Sequence, residues 1–384
     1  MGKLPTKTIF VLALAILAFF AVQDLALHGA DGVFGAYLRR VFNEEAQDFR
    51  SRENLPQRAR TGTLNRTASG IKAVRFLHPG GRVELKGAAD NAIRIGYEIT
   101  IQADRPEQAA RYLSRVAVQQ VVDGGRLIFK LQEPPVRDEG VHGVRVDYTA
   151  ALPAGLAVEI TGSTKVTARG LNGSLVVDGS GPVTATGVTG DIKIDGCPDL
   201  EITGVKGNVW VRASVPGGGY TADYIADVTG NLTLDNHDGT VIVENLRGGL
   251  EAKFDRHLFD GYLLVNGVAG TVRVEGRGGL FDAAHIDGPV TVNGRELLVN
   301  LRDIRGDTQV TTYGGNVLYE PPAGGDGCRV TALSKGGRIV TSLPLTIAET
   351  AAGEQKGTGK VGNERYRVEI ETEGSNIYLR PPRR

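Results

Sequence analysis

Residues 188–211 read VTGDIKIDGCPDLEITGVKGNVWV. The tripeptide Val188-Thr189-Gly190 returns seventeen residues later as Val205-Lys206-Gly207, and a short alternating run follows each: Ile192 and Ile194, then Val209 and Val211. Working outward, the same aliphatic-x-Gly signature begins at Leu171, Val228, Leu246, Val268, Ile286 and Ile304, eight occurrences in all with spacings of 17, 17, 23, 18, 22, 18 and 18. Alternate positions after each glycine form two columns. The first is Leu175, Ile192, Val209, Leu232, Leu250, Val272, Val290 and Thr308; the second is Val177, Ile194, Val211, Leu234, Ala252, Val274, Val292 and Val310. Only Thr308 breaks the apolar set. The residues between the columns, among them Lys193, Trp210, Thr233, Glu251, Arg273 and Gln309, are mostly polar, as the opposite face of a strand would be. A second strand in each repeat is marked by Ala185, Ile202, Ile225, Val243, Val265, Ala283 and Leu301, three residues before the next signature.

A period near 20 with one glycine per turn is the pattern of a solenoid, whose units cannot bury their own apolar faces and so stack on their neighbours. Seventeen residues are too few for a pair of helices. The segments are also rich in Val and Ile and interrupted too often by glycine for helix. The expected fold is therefore all-β, a single-stranded parallel β-helix of right-handed sense, with the recurrent glycines at corners that need positive φ.

Composition agrees. Glycine supplies 53 of 384 residues, about twice the usual share, and aromatics only 6%. With 44 basic and 44 acidic residues the net charge is zero, which leaves no field to hold a nucleic acid. Two cysteines, Cys197 and Cys328, stand far apart and read as isolated buried thiols.

At the N-terminus, Lys3 and Lys7 precede the apolar run Ile9 to Val22, which extends to about Leu27. Roughly 19 residues at 1.5 Å each approach the hydrocarbon thickness of a bilayer. Small residues are poorly placed for signal cleavage, so an uncleaved signal-anchor over 9–27 is expected, with 1–8 cytoplasmic and the bulk of the chain exported; secretion after cleavage is the alternative. Val33, Phe34, Tyr37, Leu38, Val41 and Phe42 then recur at helical spacing, and a polar spacer runs from Asn43 to Ser69. Residues 28–70 thus read as a juxtamembrane amphipathic helix and linker, 71–154 as a strand-rich cap with one short helix from Pro106 to Val116, 155–327 as the solenoid, and 328–384 as closing coils and cap.

Several segments carry a family resemblance: GGRVELKG (80–87), GRLIFKLQEPP (125–135), VRVDYTAALPAGLAVEITGSTKVTARGL (144–171), GGRIVTSLPLTI (336–347) and GTGKVGNERYRVEIETEGSNIYLRP (357–381). Over about residues 71–382 the chain resembles the bacterial β-strand-repeat proteins labelled putative adhesins, and more distantly the bactofilins. The resemblance implies a surface-exposed single-stranded β-helix and brings no catalytic residues with it.

For chemistry, the best local collections are Asp235 with His237 and Asp238, Asp255 with Arg256 and His257, and His285 with Asp287; each reads as ordinary polar loop chemistry. No nucleophile elbow, phosphate loop or zinc motif is present, and no cofactor is expected. Trp210 is expected to point outward as a partner-binding anchor, or to pack under the excursion Ser214 to Asp227 with Tyr220 and Tyr224. The expected function is a non-enzymatic, membrane-anchored extracytoplasmic scaffold that presents an adhesin-like surface to a cell-wall polymer, a glycan or an envelope protein. The alternatives are an envelope sensory or regulatory ligand-binding protein and, third, a carbohydrate-active β-helix enzyme.

Overall fold

A computed structural model describes residues 55–77, 80–135, 138–162, 164–179, 181–197, 199–212, 222–235, 239–254, 261–323, 326–350 and 353–382. The expected cytoplasmic tail, the anchor over 9–27 and the amphipathic stretch 33–42 lie outside them. Among the described residues, no helix is long and apolar enough to cross a membrane.

The chain divides into two compact units. The larger comprises 59–100, 113–137 and 144–384, the smaller 1–58, 101–112 and 138–143. In the larger unit, each repeat gives one strand to a 16-stranded sheet, here the first sheet, and one to a 15-stranded second sheet. Ile192–Asp195 and Leu200–Thr203 are one such pair. Successive repeats pair parallel and in register: Leu175 faces Ile192, which faces Val209, then Leu232, Leu250, Val272, Val290 and Thr308. Both inward columns read from the sequence are buried along their whole length, as is the second-sheet column from Ala185 to Leu301. Thr308 is tolerated in the interior because its hydroxyl donates to the Gly306 carbonyl. The aliphatic-x-Gly signature forms a third side one residue wide, where Asn172, Thr189, Lys206, Thr229 and Arg247 bridge in parallel.

The reason for the recurrent glycine differs from expectation. Gly190, Gly207 and Gly230 do have positive φ, but the whole column shares another constraint. A Cβ on Gly230, Gly248, Gly270, Gly288 or Gly306 would lie 2.1–2.3 Å from the carbonyl oxygen of the column's preceding glycine. Close backbone approach between turns excludes any side chain there. The position that needs left-handed backbone lies three residues earlier, at Gly187, Gly204, Asp227, Asn245, Gly267, His285 and Asp303, with φ between 52° and 76°. Short polar residues and histidine share that corner with glycine because they tolerate this conformation better than other side chains.

The two longest spacings, 23 and 22, have their extra residues in the sequence between Val209–Arg212 and Ala222–Ala226 and between Leu250–Phe254 and Tyr262–Val268. The later strand of each pair keeps its register with the neighbours on either side.

The strands expected in the N-terminal cap form, but they enter the same two sheets as the repeats. Ala73–Leu77 lies between Ala157–Thr161 and Arg126–Gln132, and Phe76, Phe129 and Tyr148 cluster with centroids 4.9–6.0 Å apart. Gln57–Thr67, inside the expected spacer, is a strand at the edge of the second sheet. The helix expected from Pro106 to Val116 spans Pro106–Leu113, with all but its last residue in the smaller unit, and buries Ala109 and Tyr112 while Ala110 is exposed.

At both ends the order of strands in space departs from their order in the chain. Tyr366–Glu373 sits between Thr308–Tyr313 and Cys328–Lys335, and Ile377–Leu379 sits between Val317–Glu320 and Ile339–Thr341. The last stretch of chain is thus inserted between two turns that precede it. Antiparallel strands, Ala117–Asp123 at one end and Leu345–Glu349 with Glu354–Val361 at the other, close the first sheet.

Candidate functional site

Trp210 points outward from the first sheet, in a column with Lys193 above and Thr233 below. It is half-buried. The Lys193 ammonium stands 4.8 Å from its ring centroid and the Arg212 guanidinium 5.6 Å. Arg212 is itself held by Asp195, with Nε donating to Oδ1 at 3.0 Å. The indole is therefore part of a cation–π cluster rather than a bare platform. Tyr224 belongs to the second sheet, so the two aromatics do not share a surface. Its hydroxyl donates to Glu244 Oε2 at 2.8 Å. Burial, and next that hydrogen bond to a carboxylate, push its pKa up to about 12. Tyr220 lies outside the described residues.

Charges on the outer face of the first sheet pair along and across the strands: Arg273 with Glu275 at 2.7 Å, Lys253 with Glu251 at 3.3 Å, and Lys335 with Glu371 at 2.5 Å. Such exposed pairs contribute little to stability, but they cancel the local field.

A groove of about 480 Å³ runs along the corner next to the third side, lined by Asp227, Asn245, Arg247, His285 and Asp287 among others. It opens where Gly267 and Ala269 have little or no side chain. Asn245 Nδ2 donates to Asp227 Oδ1 at 3.1 Å, His285 Nδ1 lies 2.9 Å from Asn266 Oδ1, and Asp287 Oδ1 lies 3.7 Å from Arg305. His285 and Asp287 thus come from neighbouring corner positions, with partners in adjacent turns. Asp235 stands in an outward column of the first sheet between Arg212 and Lys253. His237, Asp238, Asp255, Arg256 and His257 lie outside the described residues. Among the described residues, no group of three or more His, Cys, Asp or Glu is placed to hold a metal ion.

Sequence reasoning missed a surface on the second sheet. Its outward positions include Tyr224, Ile242 and Leu264 in one column and Tyr262, Leu280 and Leu298 in the next. Tyr262 is 41% exposed and Leu298 46%, and the other four are half-buried. The signal was present in the uninterrupted apolar runs Tyr262-Leu263-Leu264-Val265 and Leu297-Leu298-Val299, where a strand with one wet face should alternate.

No protein-family model matches the chain, and no curated protein matches it. Among solved structures it is similar to a "putative cell adhesion protein" from Clostridium sporogenes, at 10% identity with a TM-score of 0.19, covering 84% of this chain and 100% of the other. It is also similar to a "putative adhesin" from Bacteroides fragilis (11%, TM-score 0.24, covering 83% and 97%) and to another from Parabacteroides merdae (10%, TM-score 0.25, covering 83% and 96%). These neighbours are the kind of protein that the sequence segments resemble, but at such identities and scores they assign no activity to this chain.

Proposed function

We propose that the chain is a non-enzymatic, adhesin-like interaction scaffold. An N-terminal anchor over residues 9–27 holds it on the outer side of the membrane, and it works without a cofactor. Its partner is a cell-wall polymer, a glycan or an envelope protein, and not a nucleic acid.

The observation that carries this reading is the contrast between the two faces of each strand. Inward positions are filled by the chain's own aliphatic residues, while outward columns leave large apolar side chains in water: Tyr262, Leu298, Tyr313 at 50% and Val340 at 51%. A stack that is complete by itself can spend its outer faces on recognition. Burial pushes Tyr148, Tyr319 and Cys197 toward their neutral forms, which suits their place in the interior packing.

The test is retention of the full chain on isolated cell-wall polymer and on a glycan array, with Trp210→Ala and Tyr313→Ala as variants. Retention that falls by about tenfold in either variant is expected. Turnover of a uronic-acid polymer would instead support the enzyme. The corner groove favours one second reading, an envelope ligand-binding protein, which calorimetric binding of a small polar ligand lost in Asn245→Ala would support.

A further inference from the structure

We propose that the outward stripe on the second sheet docks one amphipathic α-helix of a partner protein, with an aliphatic ridge facing the sheet and lysine or arginine along its flank. This rests on the scaffold reading and names the partner of one of its faces.

Parallel pairing places the six side chains on five successive strands, from Ala222–Ala226 through Thr240–Leu246, Tyr262–Val268 and Leu280–Ile286 to Leu298–Ile304. Four steps of about 4.8 Å make the stripe roughly 19 Å long, and two columns two residues apart make it about 7 Å wide. That is the footprint of a single helix of about 13 residues, and it is too narrow for a second sheet to cover with profit.

The two borders differ. On one side Gly239, Gly261 and Gly279 precede the strands, with Tyr262, Leu280 and Leu298 donating their backbone N–H groups to these three carbonyls in turn. The column continues at Leu297, whose side chain is buried, so it raises nothing above the stripe. Along the other border and at the ends of the tyrosine column stand Glu201, Glu244 and Asp282, against Arg302, whose Nη2 donates to Asp282 at 2.5 Å. The border is net acidic. A basic flank complements it, whereas a second copy laid face to face would set acid against acid and an anionic lipid surface would be repelled.

The test titrates three synthetic peptides of about 14 residues into the full chain by fluorescence anisotropy. One has leucines at three- and four-residue spacing with flanking lysines, one carries glutamates instead of the lysines, and one is a shuffled control. The lysine peptide is expected to bind tightest. Its affinity should fall at least about tenfold in Leu280→Ser/Leu298→Ser and several-fold in Glu201→Gln/Glu244→Gln, with circular dichroism melts unchanged. Equal binding of the shuffled or glutamate peptide would overturn the proposal, as would unchanged affinity in the leucine variant. So would concentration-dependent dimers in sedimentation that the same leucine substitutions abolish. If the peptides fail while retention on cell-wall polymer persists, the docking proposal falls and the scaffold reading stands.

Discussion

Cys197 and Asp223 show how single residues serve the interior. Asp223 occupies an inward second-sheet position, 2% exposed, where neighbouring strands carry Leu200 and Val241. Its Oδ1 accepts the Leu200 N–H at 2.8 Å, the role that the Asp199 carbonyl plays for Val183 one turn earlier. A side chain thus replaces a backbone acceptor where the chain re-enters the sheet after an insertion. Cys197 is fully buried, and burial first, then the charges of Asp223, Asp178 and Asp195, push its thiol from 9.0 up to about 12. Because the native state holds this proton more tightly than the unfolded state, the linked stability is constant below about pH 8 and falls as pH rises from about 9 toward 12. Between pH 8 and pH 10 the loss expected from this group is about 1 kcal/mol, and urea midpoints should show a shallower decline over that range in Cys197→Ala. The burial of Cys197 is legible in the sequence, but the role of Asp223 is not, because there it looks like a loop residue after three glycines.

Individual strands are held by more than apolar ladders. Asp191 accepts from the backbone N–H of Asn208, Asn208 from Asn231, and Asn231 from Gly249, each at 2.8–2.9 Å. The side chains form a continuous ladder at the corner that opens the first-sheet strand, each stitching its turn to the next. Asn208→Ala leaves the Asn231 N–H without this acceptor and should cost about 1–2 kcal/mol in urea denaturation, while an exposed control such as Thr311→Ala should change stability by less than about 0.5 kcal/mol. The sequence contains the Asp/Asn recurrence, but spacings of 17, 23 and 18 disguise it until the turns are aligned in space. The outward apolar stripe was hidden for a related reason. The inward columns were recognised by alternation, and a run such as Leu263-Leu264-Val265 satisfies the inward pattern while concealing that its middle residue faces out.

At the scale of the whole molecule, the inserted C-terminal turn has a consequence for assembly. Residues 366–379 fill a slot between turns 308–320 and 328–341, so the stack at that end can close only after the chain's last segment is available. Removing residues 364–384 should expose Val310, Val317, Val330 and Ile339, which are buried in the intact protein, and lower the thermal midpoint by several degrees. A synthetic peptide of residues 364–382 added in trans should restore much of the loss, and the same peptide carrying Val368→Asp should not. An unchanged midpoint in the truncated chain would show that this turn does not close the stack. Sequence alone misses the insertion because the terminal segments lack the repeat signature, and alternation does not say which strand pairs with which.

The sequence by itself determined the dry interior. Aliphatic residues at a fixed period can be buried only by stacking one turn on the next, a constraint repeated often enough to survive insertions. Tertiary structure alone decided why the glycines recur, which turns are neighbours at the two ends, and where an apolar surface remains in water. Each of these depends on atoms distant in the chain: a carbonyl one turn away, a strand that arrives last, a side chain whose column mates lie about 20 residues off.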